Sequence, residues 1–231
     1  YMNLLQKFNV VLKKRNQYLK NVDFTKDYNR YYLDVLSENY CSISVEICLL
    51  RKDFIEKINL YLSKIYFEIM GYENLEIRYV SNVPFFDNKK IMIENFKKNL
   101  TDNFEKEKRY GSTILGIHRD DFVFFLDGKE LSIYGSQGQI RVAVLSLKLA
   151  ELILFKEKDG EYPILLLDDI FSELDIEKRN RLIKYILNDV QTIITTTDVD
   201  CLDTELVSKA KIFSISDGMI VNDGKKECKN E

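Results

Sequence analysis

A short apolar segment that runs into two adjacent acidic residues constrains the fold of this chain more than any other feature. The segment PILLLDD occupies residues 163–169, so that apolar side chains are followed at once by Asp168 and Asp169. A wholly apolar run of this length is typical of a strand buried on both faces of a parallel sheet. The two carboxylates would then lie at the carboxyl end of the strand, where ligands bind in open α/β sheets.

The residues around this segment alternate between strand and helix patterns. We predict a hairpin in FVFFLDGKELSIY, a helix after GSQGQ, a helix over about 176–188, a strand in QTIITTT and a closing hairpin around Asp217-Gly218. The helix after GSQGQ is expected to present one apolar face, made of Ile140, Val144, Leu147, Ala150 and Leu154. This order predicts an α/β fold whose mostly parallel sheet is covered by helices on both faces.

The first 109 residues have a helical pattern instead. Apolar residues of a first helix recur at spacings of three and four, with Arg15 interrupting them: Leu5, Phe8, Leu12, Leu19 and Val22. The stretch from about Asp27 to Met70 contains no Pro or Gly, which predicts either one extended arm helix or two helices with a break near residues 42–44. LEIRYVSNV predicts a strand, and a third helix is expected from about Asn88 to Lys108.

Gly111 and Gly116 mark a boundary between two modules. We predict a coiled-coil-like helical arm over residues 1–109 and a sheet-containing domain over residues 110–231. The net charge is +3 for residues 1–108 and −6 for residues 109–231, for a total of −3. This total does not favour nucleic acid, and the excess in the first half is weak evidence for a DNA surface.

Composition narrows the classes of protein further. No apolar run approaches the roughly 20 residues that span a bilayer, so no membrane partner is expected. The four cysteines form no C-x-x-C pair and the single histidine has no cysteine nearby, which argues against a zinc site or a disulfide framework and favours a cytoplasmic protein with reduced thiols. The sequence begins inside a helical pattern, so we expect a piece of a longer protein.

The strand-end acids have two interpretations. A strand-end Asp can hold Mg²⁺ beside a nucleotide phosphate, and a second acid can orient or deprotonate an attacking water. Alternatively, either residue is a cap of the next helix. Ser136 of GSQGQ can likewise cap the helix that follows, and the exposed N–H groups at that helix end would also suit a phosphate.

The order of these motifs resembles the second lobe of an ABC-type ATPase head. More closely, GIHRDDF, YGSQGQIRVAVLSLKLAELI and YPILLLDDIFSELD are similar to the RecF family, SMC-like proteins of DNA replication, repair and recombination. The similarity covers about residues 110–221 and is specific. Residues 1–109 fit the helical arm of that family by position and pattern only.

The resemblance implies a role for each matching residue. Ser136, Gln137, Gly138 and Gln139 would form the signature motif, which contacts the γ-phosphate of ATP bound to the opposite subunit. Asp168 would act on Mg²⁺ through water, and Asp169 would replace the catalytic acid, which is Glu in most ABC proteins.

Further positions follow from the same resemblance. Ser172 and Asp175 would belong to the D-loop at the dimer interface, and Thr197 would occupy the switch position, where many ABC proteins have His. Asp in place of Glu and Thr in place of His both predict slow hydrolysis. His118 and Arg119 would either reach nucleotide or act structurally, with Arg119 pairing Asp120 or Asp121 at a surface.

The resemblance also implies what the whole protein does. ATP would join two heads into a homodimer that clamps double-stranded DNA at gaps or junctions, with a RecR-like mediator as partner and recombinase loading and the SOS response as context. The phosphate-binding sequence G-x-x-x-x-G-K-[ST] is absent, so this segment alone is expected to bind ATP poorly and to hydrolyse none. The alternatives are a non-enzymatic helical-arm interaction module and another SMC-like ATPase, although the latter would need a longer arm and a zinc hook.

Overall fold

The structure is a computed structural model that describes residues 1–72, 74–170, 174–186, 190–197, 199 and 204–223. The chain divides into two compact units. The first consists of Tyr1–Asn59 and Glu76–Phe125, and the second of Leu60–Leu75 and Leu126–Glu231. These limits do not coincide with the predicted boundary near residue 109, and the division into arm and head stays a prediction.

Two helices open the chain. Helix α1 spans Met2–Asn21, and helix α2 spans Arg30–Met70 without interruption. The 41 residues of α2 extend for about 60 Å at the usual helical rise. The structure therefore selects the single long helix from the two alternatives that the sequence left open.

Strand β1 (Leu75–Val80) forms as predicted, but the expected third helix is divided in two. Helix α3 spans Lys89–Asp102 and helix α4 spans Phe104–Tyr110. Asn103 interrupts them: its backbone leaves the helical region, with φ −99° and ψ 5°, and its side-chain amide donates to the carbonyl of Asn99, which also accepts the regular helical bond from the Asn103 N–H. Such local bonds compete with the regular helical ladder.

The core of the first unit contains a large hydrophobic cluster. Its aromatic centre brings Phe8 of α1, Tyr40 of α2 and Phe96 of α3 together, with ring centroids 5.4 Å and 6.0 Å from Tyr40. Cys41 and Cys48 are buried in the same cluster, and burial raises the pKa of the Cys41 thiol to about 12. These thiols are therefore inert packing groups.

The predicted hairpin at 122–134 is only partly correct. Strand β2 (Asp121–Leu126) and the short strand β3 (Lys129–Glu130) flank the Asp127-Gly128 turn and join β1 in a sheet of order β1-β2-β3. LSIY, predicted as the rest of the second strand, is instead the short helix α5 (Leu131–Tyr134). The apolar run was too short for periodicity to distinguish the two structures.

The remaining elements follow the predicted order, except that a short helix over Thr204–Lys209 was not predicted. They are α6 (Gln137–Asp159), β4 (Leu165–Asp168), α7 (Ile176–Ile186), β5 (Thr192–Thr195), α8 (Thr204–Lys209), β6 (Phe213–Ser216) and β7 (Met219–Asp223). Strands β4 and β5 are parallel, and β6 and β7 form the predicted antiparallel hairpin. Parallel strands flanked by helices confirm the predicted α/β class.

The expectation that both faces of the parallel sheet are covered is wrong for the described residues. Leu165 and Leu167 are buried, whereas Leu166 is 69 % exposed and its register partner Ile193 is 54 % exposed. Because side chains alternate along a strand, one face of the β4–β5 pair is packed and the other is open. The open face is apolar and ends at Asp168.

The predicted face of α6 is only partly correct. Ala150 is buried as expected, but Val144, assigned to the same face, is 46 % exposed, and the other buried residues of the helix were not in the predicted face: Val142, Ala143, Leu145, Ser146, Leu149 and Leu152. The helix is apolar around much of its circumference, so periodicity alone did not identify the packed side. Among the described residues, no helix is both long and apolar enough to cross a membrane.

Candidate functional site

Asp168 is the last residue of β4 and lies on the open face of the β4–β5 sheet. Its register partner on β5 is Thr195, whose hydroxyl donates a short hydrogen bond to Asp168 Oδ1. The sheet therefore presents a carboxylate at its carboxyl end, oriented by the neighbouring strand. The Asp168 residue itself is exposed, and within the described residues its Oδ2 accepts no hydrogen bond.

Asp169 has an unusual backbone conformation. Its φ of 49° is in the left-handed region, and its N–H donates to the hydroxyl of Thr195 at 3.1 Å and to the carbonyl of Thr195 at 3.2 Å. Asp tolerates this region better than most residues. The turn takes Asp169 out of the strand immediately after Asp168, so the two adjacent acids do not both continue the apolar strand.

Thr195 is thus the central residue of this group, and sequence reasoning missed it. Thr197, the predicted switch position, is exposed, and its hydroxyl makes no hydrogen bond to any residue in the described part of the chain. Thr195 and Thr197 both belong to the run TTT at 195–197. The sequence therefore indicated a threonine near the acids but not which one, because it does not reveal the register of β5 against β4. Only the pairing of β5 with β4 shows which threonine meets the acids.

The Ser136 turn is built by a capping box at the start of α6. Ser136 Oγ accepts from the N–H of Gln139 at 3.2 Å, and the side chain of Gln139 accepts from the N–H of Ser136 at 2.8 Å. The capping interpretation of Ser136 is therefore correct. It does not exclude a second role, because the box fixes the helix end while Gln137 and Gly138 stay on the surface.

The two glycines of this turn differ in their surroundings. A Cβ built on Gly135 would lie 2.5 Å from the carbonyl oxygen of Leu131, so packing requires glycine there. A Cβ built on Gly138 would meet nothing within 4 Å. Glycine inside a helix costs about 1 kcal/mol relative to alanine, and no contact in the described chain explains it at Gly138.

The predicted D-loop residues are only partly described. Asp175 caps α7: its Oδ1 accepts from the N–H of Lys178 at 2.9 Å, and its Oδ2 pairs with Lys178 Nζ at 2.6 Å. These bonds from Lys178 hold the pKa of the Asp175 carboxyl below its usual value. Ser172 lies outside the described residues.

A groove of about 630 Å³ lies between α6 and β4. Most of its lining is apolar, including Val144, Phe155 and Leu166, and Asp168 lies at its edge. An exposed apolar lining of this kind is typical of a surface that contacts another protein, and it offers few groups that could hold the phosphates of a nucleotide. In the described residues no three His, Cys, Asp or Glu side chains cluster as a closed metal cage. Mg²⁺ does not require one, since one or two carboxylates with phosphate and water suffice.

Comparison with known proteins assigns the family. No family model matches the chain. It is 40% identical over 228 residues to the DNA replication and repair protein RecF of Ligilactobacillus salivarius, a match that covers 96% of this chain and 60% of that protein. The RecF of Staphylococcus aureus is 37% identical over 224 residues, with the same coverage. The chain belongs to the RecF family.

Solved RecF structures agree with this assignment. One, described as the recombination mediator protein RecF with ATPrS in the RecFOR pathway, matches with a TM-score of 0.80 and 31% identity, covering 95% of this chain and 58% of that one. A RecF-ATP structure matches with a TM-score of 0.77 and 33% identity, covering 87% and 54%. The chain thus spans about three fifths of the length of its RecF relatives, and its fold is that of the ABC-type ATPase.

The GIHRDDF loop of this RecF-family chain is held in place by buried bonds. The side chain of Asp120 accepts from the hydroxyl of Tyr79 and from the N–H of Asn82, and it lies 3.6 Å from Arg51 Nη1. The prediction that Arg119 pairs Asp120 or Asp121 at a surface is wrong for Asp120, whose cationic partner is Arg51. A buried carboxylate must be paired and hydrogen-bonded to offset its desolvation, and here Arg51, Tyr79 and Asn82 provide these contacts.

His118 is fixed in the same loop. Its Nε2 donates to the carbonyl of Thr113 at 3.2 Å, and its Nδ1 lies 3.2 Å from the hydroxyl of Tyr40. Burial lowers the pKa of the imidazole. These contacts agree with the structural interpretation of His118, whereas a role toward nucleotide stays a prediction.

Proposed function

We propose that this chain is part of an ATP-dependent head that joins two RecF-like subunits in DNA repair and recombination. The observation that carries the proposal is Asp168 at the carboxyl end of a parallel sheet, oriented by Thr195 and exposed on its other side. A strand-end carboxylate in this position is a standard ligand site for a metal–nucleotide complex. Family membership and the ATP bound in a RecF relative support it.

In this proposal the two acids have different tasks. Asp168 would hold Mg²⁺ through water, and the ion would supply charge neutralisation at the phosphates. Asp169, turned away from the strand by its left-handed backbone, would orient an attacking water. A carboxylate on a side chain shorter than Glu must approach that water more closely, so we expect slow turnover.

The Ser136–Gln139 turn would serve the opposite subunit. Its capping box fixes the end of α6, and the open space at Gly138 lets a phosphate approach the backbone N–H groups. We propose that Ser136, Gln137, Gly138 and Gln139 contact the γ-phosphate of ATP held by the partner. Ser172 and Asp175 would border the same interface, and Thr197 would be the switch residue.

The whole protein's activity is a further part of the proposal. ATP-driven pairing of heads would clamp double-stranded DNA at gaps or junctions, a RecR-like mediator would bind the clamp, and the recombinase would be loaded there. The name RecFOR pathway attached to the RecF structures supports such a partnership. Hydrolysis would release the clamp.

The present chain lacks a phosphate-binding loop, so the part of the relatives that it does not match would supply one. We expect calorimetry with Mg-ATP to show no tight binding to this chain. A micromolar dissociation constant would contradict the proposal. Joining the remaining RecF segment should restore binding.

The catalytic assignment is tested in that longer protein with Asp169→Asn. Hydrolysis should be abolished while ATP-dependent dimers persist, because the substitution removes the base and keeps the shape. Asp159→Asn at the far end of α6 is the control, since it makes the same charge change away from the site. Unaltered hydrolysis in Asp169→Asn would show that the catalytic assignment of Asp169 is wrong, whereas no hydrolysis by the longer parent protein would favour the non-enzymatic interaction module.

A further inference from the structure

Helix α1 is strongly basic and contains no acidic residue. Over Met2–Asn21 it carries five basic side chains: Lys7, Lys13, Lys14, Arg15 and Lys20. Arg15 is buried and paired, but the four lysines are exposed. The net charge of the chain conceals this local excess.

Two of the exposed lysines, Lys13 and Lys20, lie on one face of the helix. Asn9, Lys13, Gln17 and Lys20 are all exposed, and their spacings of four, four and three residues place them on one side. A shallow groove of about 390 Å³ runs along them, with Leu12, Asn16 and Gly111 completing its lining. We call these seven residues the α1 groove.

The groove is a fixed surface. Gly111, the left-handed C-cap of α4, lies so near α1 that a Cβ there would be 3.4 Å from the Cα of Lys20. Asn16 accepts the N–H of Thr113 at 2.8 Å. The wall opposite the helix is therefore held against α1 by this hydrogen bond and by the close approach at Gly111.

Neither lysine of the groove has an anionic partner among the described residues. Lys13 and Lys20 form no ion pair there, whereas several other lysines of the same unit do: Lys52 with Glu56, Lys57 with Asp53, Lys89 with Glu46 and Lys97 with Glu38. The lining contains no carboxylate, and amides supply the remaining polar groups. The groove therefore suits an extended anion with hydrogen-bond acceptors.

We propose that the α1 groove binds the phosphate backbone of double-stranded DNA. The distance along the helix from Asn9 to Lys20 is about 16 Å, enough for several successive phosphates. Lysines and amides are the side chains that contact phosphates without reading bases. Single strands are disfavoured, because no aromatic side chain lines the groove to stack a base.

That the anion is DNA rests on the proposed function. That it binds at the α1 groove rests on the charge and the contacts of the seven groove residues. The test compares Lys13→Gln/Lys20→Gln with Lys7→Gln/Lys14→Gln in the present chain. Both double variants remove two exposed charges from α1, but only the first pair lies in the groove. Binding of a fluorescent 20-base-pair duplex is measured by anisotropy across a salt series without nucleotide.

We expect the groove variant to bind duplex roughly tenfold more weakly, with the slope of log K against log salt reduced by about 2. The control variant should stay within about twofold of the parent chain. Equal losses in both variants would overturn the proposal, as would no duplex binding by the parent chain at low salt or a preference for single strands. Because this assay contains no ATP, its outcome is independent of the Asp169→Asn test.

Discussion

Arg15 Nη2 lies 2.6 Å from Glu107 Oε2, and the two side chains are 2 % and 0 % exposed. The other two nitrogens of the guanidinium also donate: Nε to Ser37 Oγ at 3.1 Å and Nη1 to Thr113 Oγ1. Glu107 Oε1 in turn accepts the N–H of Ile114 at 3.1 Å. The residue that interrupts the apolar seam of α1 is thus the centre of a satisfied buried network.

Removing one member of this network should destabilise the chain strongly. Arg15→Met leaves the Glu107 carboxylate buried without its cation, which costs about 3 kcal/mol or more of unfolding free energy. Urea denaturation followed by circular dichroism measures the loss. Lys14→Met is the control: Lys14 is exposed next to Arg15, and its replacement should change stability by less than about 0.5 kcal/mol.

A double variant separates the ion pair from general packing. Arg15→Met/Glu107→Leu removes both charges, so it should be clearly more stable than the sum of the single losses predicts. Additive losses would show that the two side chains do not depend on each other.

The sequence predicted local structure better than the contacts between elements. The spacing in α1 was enough to place that helix, whereas the absence of Pro and Gly in α2 predicted helical structure but not whether it forms one helix or two. The role of Arg15 was not predictable, because Glu107 lies 92 residues away and meets it only in the fold. The Asn103 break was missed because a side-chain amide, rather than Pro or Gly, causes it.

In the candidate site, too, local motifs were predictable from the sequence and contacts between strands were not. The motif order located Asp168, Asp169 and the Ser136 turn, since those signals are local and contiguous. Thr195 was missed because strand register determines which threonine faces the acids. The open face at Leu166 was missed because an apolar strand predicts burial without saying what covers it.

The single histidine provides a pH-dependent prediction. Burial lowers the pKa of His118 below 6.5, so the unfolded chain takes up this proton first as the pH falls. The contribution of His118 to stability should therefore be complete above about pH 7 and decline as the pH falls through 6.5 toward the folded pKa. The NMR titration of His118 should have a midpoint below 6.5.

His118→Gln is the matched comparison for that titration. Between pH 7.5 and 5.5 this variant should lose less unfolding free energy than the parent chain, because no other histidine titrates there. A midpoint above 6.5, or identical pH dependence in both proteins, would refute the assignment.

The two glycines of the Ser136 turn should respond in opposite ways to alanine. Gly135→Ala forces a Cβ against the Leu131 carbonyl and should cost about 1–3 kcal/mol in denaturant unfolding. Gly138→Ala meets no atom and should be neutral or stabilising by up to about 1 kcal/mol. If Gly138 exists for a partner's phosphate, the same stable variant should weaken ATP-dependent dimers of the longer protein in sedimentation experiments. Normal dimers would remove that role.

Thr195→Val should show whether Thr195 of β5 affects ATP turnover, in addition to Thr197 two residues later. The change removes the hydroxyl that donates to Asp168 and accepts the Asp169 N–H, at a stability cost of about 1 kcal/mol. In the longer protein it should lower ATP turnover, since Asp168 loses its fixed orientation, whereas Thr195→Ser should retain activity. Thr197→Val tests the proposed switch residue separately: it should lower turnover without a cost in stability, because Thr197 makes no side-chain bond within the described residues. Unchanged turnover in Thr195→Val together with a loss in Thr197→Val would make Thr195 a purely structural residue.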